Sequence, residues 1–189
     1  MCGVIFLCFC PISNKNKQLG FFMRTLYSTF LATLAITFSP LVMAGEALTY
    51  KDADTVLEGY WSSSKCDSSK GTVLVTHQWK GLGDYEKGRA DMLAEDCYNA
   101  FAVDIYGQGI RPANQEEAKT ESSKYKSNPD LARGRMQAAV DFVKTLPNVS
   151  EQNIAAIGYC FGGTMVLELA RSGADIDGVV SFHGGLSTE

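Results

Sequence analysis

One cysteine of this sequence, Cys160, is flanked by residues that suit it to act as a nucleophile. It lies at the centre of Gly158-Tyr159-Cys160-Phe161-Gly162-Gly163, with a glycine two residues before it and another two residues after it. This spacing is typical of the nucleophile elbow, a sharp turn from a strand into a helix that presents a nucleophilic side chain above a sheet. A Cβ at either flanking glycine would collide with the neighbouring turn. The pattern predicts that the Cys160 thiol attacks an electrophilic carbon.

An elbow would prepare a thiol for this attack in three ways. It exposes the sulfur, and it places the sulfur at a helix N-terminus, where the partial positive charge favours a thiolate. It also directs the backbone amide of Phe161 towards the oxygen that becomes negative during attack. The alternative is an inert buried cysteine, as free cysteines usually are. Because an inert cysteine requires neither the glycines nor the turn, we favour the nucleophile.

The residues around the motif predict the strand and the helix that an elbow needs. Residues 153–157 form a short apolar run typical of a buried parallel strand. Residues 164–172 carry apolar side chains on one helical face and are followed by Gly173, a common C-terminal stop. The elbow is therefore predicted to connect a central strand to an amphipathic helix.

The rest of the chain alternates strand and helix patterns. Residues 46–50 and 55–61 predict an antiparallel hairpin, and buried strands are predicted at 72–77, 101–104 and 177–183. Asp84 is the predicted N-cap of a helix whose inward-facing residues are Tyr85, Met92 and Leu93. Pro129 is predicted to open another helix, and the polar residues 106–128 are expected to be irregular and outside the core. The alternation predicts an α/β fold, a mostly parallel sheet with helices on both faces.

The first 44 residues differ in character from the rest. From Met23, an arginine precedes an uncharged apolar stretch, and Val42-Met43-Ala44 before Gly45 matches a signal-peptide cleavage site. We expect residues 1–22 to be an upstream extension that need not be translated, 23–44 to be a signal peptide and 45–189 to be one α/β domain. The protein would then be periplasmic or secreted; the alternative is an uncleaved membrane anchor.

Composition narrows the range of partners. The chain is 46% hydrophobic and 20% charged, with a formal net charge of −4. No basic stripe interleaved with aromatic residues is present, so nothing supports a nucleic-acid partner. Without residues 1–44 the chain has 14 basic and 21 acidic side chains, which argues against a stable association with an anionic membrane. The sequence leaves the oligomeric state open.

Two other cysteines, Cys66 and Cys97, are expected to form a disulfide bond. Each precedes a predicted strand. Because neighbouring parallel strands begin at the same edge of a sheet, the two thiols should lie close together. An exported protein would keep such a bond oxidised.

The elbow motif resembles the signature of the dienelactone hydrolase family, a branch of the α/β-hydrolases with a cysteine nucleophile. Residues 77–85, Asp104-Ile105-Tyr106-Gly107 and Ser181-Phe182-His183-Gly184-Gly185 resemble that family as well, so the resemblance covers about residues 46–189. It implies hydrolysis of an ester, a lactone or a related small acyl substrate through a thioester, with no cofactor or metal. It also implies that the backbone amides of Phe161 and Trp79 hold the oxyanion.

The sequence departs from the family pattern in two places. Family members commonly place Glu beside the resting thiol, where this chain has Gln78, which cannot take a proton. In these hydrolases the acid and then the histidine follow the nucleophile on later strands. Beyond Cys160 this chain has one histidine, His183, and the acidic residues Glu168, Asp175, Asp177 and Glu189. The resemblance makes His183 a scaffold residue, so His183 and the earlier His77 are alternative bases. We expect the last strands to be missing from this chain and its activity to be impaired.

Two other functions remain open. One is a non-catalytic fragment or binding module that keeps the α/β-hydrolase pocket. The other is a class I glutamine amidotransferase-like domain, which also carries Cys in an elbow but lacks an export signal. Four basic residues of the polar stretch could bind a substrate carboxylate, although a solvated charged loop is the commoner explanation; they are Arg111, Lys119, Lys124 and Lys126.

Overall fold

The computed structural model describes residues 45–187, and the predicted extension and signal peptide lie outside these residues. The described part contains six strands and four helices. They are β1 (Glu46–Asp52), β2 (Thr55–Ser62), β3 (Thr72–Thr76), α1 (Asp84–Glu95), β4 (Asn99–Val103), α2 (Gln115–Lys126), α3 (Pro129–Lys144), β5 (Ile154–Tyr159), α4 (Phe161–Arg171) and β6 (Gly178–Phe182).

The strands form one sheet in the order β1-β2-β4-β3-β5-β6. The predicted hairpin of β1 and β2 is confirmed, and β2 pairs antiparallel with β4. Strands β4, β3, β5 and β6 run parallel to one another. The carboxyl ends of these four strands therefore share one edge, where parallel α/β sheets bind their ligands.

Helices cover both faces of the sheet, as the sequence predicts. Side chains alternate along a strand, so neighbouring residues of β3 pack against opposite layers. Val73 and Val75 belong to a cluster with Ala90 of α1. Leu74 belongs to the larger cluster, which includes Met136 of α3 and the apolar face of α4. This arrangement confirms the α/β class.

Helix α1 differs from its predicted form at its start and on its buried face. Its N-cap is Gly83 and not Asp84, because the Glu86 carboxylate accepts a hydrogen bond from the Gly83 amide at 3.1 Å. Tyr85 and Met92 were expected to face inward, yet they are 44% and 56% exposed. The buried positions of this helix are Glu86, Ala90 and Ala94.

The prediction that residues 106–128 are irregular and outside the core is wrong. Asn114 caps α2 by accepting a hydrogen bond from the Glu117 amide at 3.0 Å. Tyr106 and Tyr125, one before the helix and one near its end, are buried and stack with ring centroids 5.4 Å apart. Helix α2 buries few apolar side chains. Its sequence therefore shows too little apolar periodicity for the helix to be recognised.

The two helices that flank the elbow strand agree with the sequence. Helix α3 starts at Pro129, and the Asn128 side chain accepts from the Leu131 amide at 3.1 Å. Glu168 of α4 is buried and forms ion pairs at 2.7 Å with Arg133 of α3 and with Arg171. These pairs join α4 to α3 and hold the helix that follows Cys160.

The predicted disulfide bond between Cys66 and Cys97 is confirmed, with Cα atoms 5.2 Å apart. Cys66 lies in the loop before β3, and Cys97 lies just before β4. The Lys70 amide donates to the Cys97 carbonyl at 2.8 Å and joins the same two segments. The disulfide bond therefore links the segments that precede β3 and β4 at the amino-terminal edge of the sheet.

Strand β6 is less buried than predicted. Among the described residues it pairs only with β5. Val180 is 49% exposed and Phe182 is 42% exposed.

None of the helices in residues 45–187 combines the length and the hydrophobicity that a membrane span requires.

Candidate active site

Cys160 lies on a strained turn between β5 and α4. Its backbone has φ 53° and ψ −113°, a conformation that non-glycine residues rarely adopt. Its amide donates to the Phe182 carbonyl at 2.9 Å, and its carbonyl accepts from the Gly163 amide at 3.1 Å. The thiol is free and partly exposed. The structure thus has the geometry of a nucleophile elbow.

The flanking glycines are required by close backbone contacts. A Cβ built on Gly158 would lie 2.1 Å from the Gly162 carbonyl oxygen, and one on Gly162 would lie 2.4 Å from the Thr76 oxygen. A Cβ on Gly163 would lie 2.6 Å from the hydroxyl oxygen of Ser181 in β6. The first turn of α4 therefore lies directly against the ends of β3 and β6.

The loop after β3, residues 77–83, is held by hydrogen bonds at several backbone groups. The buried Glu86 carboxylate accepts from the Gln78 amide at 3.3 Å as well as from the amide of Gly83. The Tyr106 hydroxyl donates to the Trp79 carbonyl at 2.9 Å. No described residue accepts a hydrogen bond from the Trp79 amide. The predicted oxyanion donor is therefore an unpaired N–H in an otherwise well-bonded loop.

Phe161 follows Cys160 and is the first residue of α4. Its ring is buried against His77 and Tyr106, with centroids 5.7 Å and 5.4 Å away. Amides in the first turn of a helix have no acceptor within the helix, and the helix dipole adds positive potential there. The Phe161 amide can therefore donate to a developing oxyanion beside Cys160.

His77 is unsuited to be the alternative base. Its Nε2 accepts from the Ile105 amide at 3.2 Å, and its Nδ1 bonds to the Gln78 carbonyl at 2.5 Å. Complete burial lowers the pKa of His77 to about 4, since charging the ring would cost its hydration. With both nitrogens occupied and the ring neutral, His77 cannot accept a further proton without breaking one of these bonds.

Sequence reasoning overlooked Glu86 and the role of Tyr106. Burial raises the pKa of Tyr106, so its hydroxyl stays protonated and can donate to the loop. The spacing of Gly83 and Glu86 follows the pattern of a capping box, in which the third helical residue bonds back to the N-cap amide. That spacing was the available signal for Glu86.

Asp104, at the carboxyl end of β4, organises the next loop. Its buried carboxylate accepts from the amides of Glu58, Tyr106 and Gly107 at 3.1 to 3.3 Å. Burial raises the pKa of Asp104, although these bonds and the Arg111 guanidinium oppose the rise. The guanidinium lies 3.5 Å from this carboxylate. Arg111 is therefore already paired with an internal carboxylate.

The other predicted site residues lie in positions of different character. His183 follows β6, is exposed and has a φ of 50°. It comes directly after the Phe182 carbonyl that accepts from the Cys160 amide. Lys119, Lys124 and Lys126 belong to α2, and the Lys124 ammonium pairs with Glu121 at 2.6 Å. The roles of the Gln78 side chain at the thiol and of His183 stay predictions.

Comparisons with known proteins agree with this geometry. Residues 57–189 match the sequence model of the dienelactone hydrolase family. Among solved structures, one named m3DLH has a TM-score of 0.73 and 34% identity, and covers 77% of this chain. A dienelactone hydrolase-like promiscuous phosphotriesterase from metagenomic libraries has a TM-score of 0.72 and the same identity and coverage.

A curated relative is more distant. Protein usf of Aquifex pyrophilus is 28% identical over 145 residues, which are 74% of this chain. This chain spans 62% of the length of the Aquifex protein and 61% of each of the two solved structures.

Proposed function

The chain belongs to the dienelactone hydrolase family, and from this premise we propose that it cleaves ester, lactone or related acyl substrates through a thioester on Cys160. The observation that carries the proposal is the strained backbone of Cys160 at the start of α4, packed so closely that Gly158 and Gly162 admit no Cβ. Such strain persists only where the surroundings impose it, and it is typical of functional residues.

In the proposed reaction the Cys160 sulfur attacks the carbonyl carbon, and the carbonyl oxygen becomes an oxyanion. The Phe161 and Trp79 amides would donate to this oxygen and stabilise the tetrahedral intermediate. Its collapse reforms the carbonyl and breaks the bond to the alcohol oxygen, which leaves as the alcohol with the proton that the thiol lost, and a thioester remains on Cys160. Water then hydrolyses the thioester, which releases the acyl group as a carboxylic acid and restores the thiol, a step that needs a base.

Acylation of the thiol tests this proposal directly. The 189-residue protein is mixed with p-nitrophenyl acetate, and the release of nitrophenol is followed together with the intact mass. We expect a burst of one equivalent and one acetyl group on Cys160, both absent from Cys160→Ala. A Cys160→Ala protein that is acylated as fast as the wild type would contradict the proposal.

A binding module that lacks turnover is the second candidate. It is favoured by the bonding of His77, which leaves His183 as the other histidine of the chain. Measuring turnover after the burst separates the two functions. Steady turnover that His183→Ala abolishes, with the burst retained, would identify His183 as the base that activates water. A burst without turnover favours a module that binds and retains the acyl group.

Substrate class can be examined in the same experiment. The similar phosphotriesterase suggests that an aryl phosphotriester should be compared with the ester. Both reactions place negative charge on an oxygen of the attacked centre, so the same amides could stabilise both.

We also propose that the protein is exported with Gly45 as its first residue, and the disulfide bond supports this localisation. Mass spectrometry of the exported product should find that N-terminus. Recovery of the protein with Met1 intact would contradict the proposal.

A further inference from the structure

A single buried side chain contacts both segments that carry the proposed oxyanion donors. The His77 ring is fully buried and stacks on the Phe161 ring at 5.7 Å with an interplanar angle of 21°. On another side it meets the Tyr106 ring edge-on at 4.7 Å. His77 is also the first residue of the loop that contains Trp79. It is therefore placed to influence both donors.

The hydrogen bonds of His77 define which of its nitrogens carries the proton. The Ile105 amide can donate only to a nitrogen with a free lone pair, so Nε2 is unprotonated. A neutral imidazole has one N–H, which must then be at Nδ1 and must donate to the Gln78 carbonyl. The low pKa of the buried ring keeps this form neutral at pH 7.

The bond from Nδ1 acts on the peptide that contains the Trp79 amide. The Gln78 carbonyl and the Trp79 N–H are the two ends of one planar trans peptide and point in opposite directions. Drawing the carbonyl towards His77 therefore turns the N–H away from the ring. The peptides on either side are held by Glu86, which accepts from the Gln78 amide, and by Tyr106, which donates to the Trp79 carbonyl.

We infer that His77 is a positioning residue that, as the Nδ1–H tautomer, orients the Gln78–Trp79 peptide so that the Trp79 amide meets the oxyanion. The inference rests on the proposed thioester chemistry at Cys160. Without the His77 bond, the Gln78 carbonyl keeps only the longer bond from the Gly81 amide at 3.3 Å, so the peptide is held less firmly. A rotated peptide would present its carbonyl oxygen to the negative charge. Donors stabilise an oxyanion only when they are held in place before the charge develops.

Asn and Gln carry the same side-chain amide at different distances from the backbone. Substituting each of them for His77 distinguishes orientation of the Gln78–Trp79 peptide from packing of the ring. In His77→Asn the side-chain amide nitrogen can occupy the position of Nδ1 and donate to the Gln78 carbonyl. In His77→Gln the amide extends to the position of Nε2, so it can bond to the Ile105 amide but not to Gln78. His77→Leu removes both bonds. Urea unfolding of each variant measures the cost to stability separately.

Two thiol-reactive probes distinguish stabilisation of the oxyanion from reactivity of the thiol itself. An aryl trifluoromethyl ketone adds the thiol reversibly and creates an oxyanion, whereas iodoacetamide alkylates the thiol without creating one. We expect His77→Gln and His77→Leu to bind the ketone about 10- to 100-fold more weakly, somewhat less than the effect of removing a whole donor. His77→Asn should bind the ketone nearly as the wild type does, and alkylation rates should be unchanged in all three.

The outcomes decide the inference even if His77→Leu fails to fold, because the Asn and Gln variants form a matched pair. Equal ketone binding by these two variants would show that His77 only packs, and would overturn the inference. A wild-type protein that iodoacetamide alkylates but that does not bind the ketone would also overturn it. A wild-type thiol that reacts with neither probe would overturn the proposed function itself.

Discussion

The carboxyl edge of the sheet is held firmly at β3 and β4 and loosely at β6. On the first side, His77, Glu86 and Tyr106 bind the backbone of the loop that contains Trp79, and all three are buried. On the second side, β6 exposes Val180 and Phe182. The groups proposed to attack the substrate and to hold the oxyanion thus belong to the well-packed part of the sheet. The candidate for activating water lies at its exposed margin.

This difference indicates that the two proposed steps, attack by the thiol and deacylation, depend on different parts of the sheet. Cys160 is held by contacts within the elbow and with the end of β3: a Cβ on Gly158 would meet the Gly162 carbonyl, and a Cβ on Gly162 would meet the Thr76 oxygen. The margin at β6 contributes the Phe182 carbonyl to the Cys160 amide, but it contributes little buried surface. Perturbing the two sides should therefore affect different properties.

The largest expected effect on stability comes from adding a methyl group at the close contact between Gly158 and Gly162 in the elbow. Gly158→Ala would place a Cβ 2.1 Å from a backbone oxygen, so we expect it to lower the free energy of unfolding by more than about 3 kcal/mol. The control is Gly88→Ala in α1, where no atom lies within 4 Å; it should stabilise the protein by about 0.5 to 1 kcal/mol. Urea denaturation measures both. Similar stabilities would disprove the close contact.

The disulfide bond tests whether the amino-terminal edge is independent of the site. Replacing Cys66 and Cys97 together by Ser should lower the free energy of unfolding by about 3 to 4 kcal/mol, for a sequence separation of 31 residues. The acylation rate of Cys160 under native conditions should not change, because the bond lies at the opposite edge. A large fall in that rate would argue for coupling between the edges.

The pH dependence of stability should reveal the buried neutral histidine. His77 has a folded pKa of about 4, below its unfolded value near 6.5. The unfolded chain therefore binds more protons between these values, and stability falls as the pH decreases from 6.5 to 4. The loss should approach about 3 kcal/mol. Subtracting the pH profile of the stability of His77→Asn from that of the wild type removes the contributions of other titrating groups, including Asp104. A difference that stays constant across this window would contradict the low pKa of His77.

The smallest effect on stability is expected in β6, at the exposed margin of the sheet. Val180→Lys should alter the free energy of unfolding by less than about 0.5 kcal/mol, since the side chain is half exposed. It should reduce self-association, because a charge discourages pairing along an edge strand. The neighbouring Val179→Lys is the control, as Val179 packs against the core and its replacement should destabilise. Light scattering and urea denaturation together distinguish the two.

The parts of the fold that sequence reasoning predicted well depend on local patterns. The elbow was visible because glycine spacing and a strand-to-helix switch occur within one short segment. The Cys66–Cys97 bond followed from parallel strands that begin at one edge. In both examples a general rule of chain geometry connects residue type directly to position.

The parts that were missed depend on tertiary contacts. Tyr85 and Met92 are apolar enough to suggest burial, but α1 uses small residues against the sheet. His77 was considered only as a base, because its bonding to Ile105 and Gln78 depends on how two loops meet. Helix α2 was missed because its polar sequence carries little information about the tyrosines it covers.

The position of the disulfide bond also keeps it away from the free thiol of Cys160. A thiolate can break a disulfide bond by attacking one of its sulfurs, which leads to scrambled pairing. Cys66 and Cys97 lie before the amino ends of β3 and β4, whereas Cys160 follows the carboxyl end of β5. A strand of five residues is about 16 Å long, well beyond the contact that exchange requires. The sheet therefore separates the free thiol of Cys160 from the structural disulfide bond, so that both can exist in one folded molecule without internal exchange.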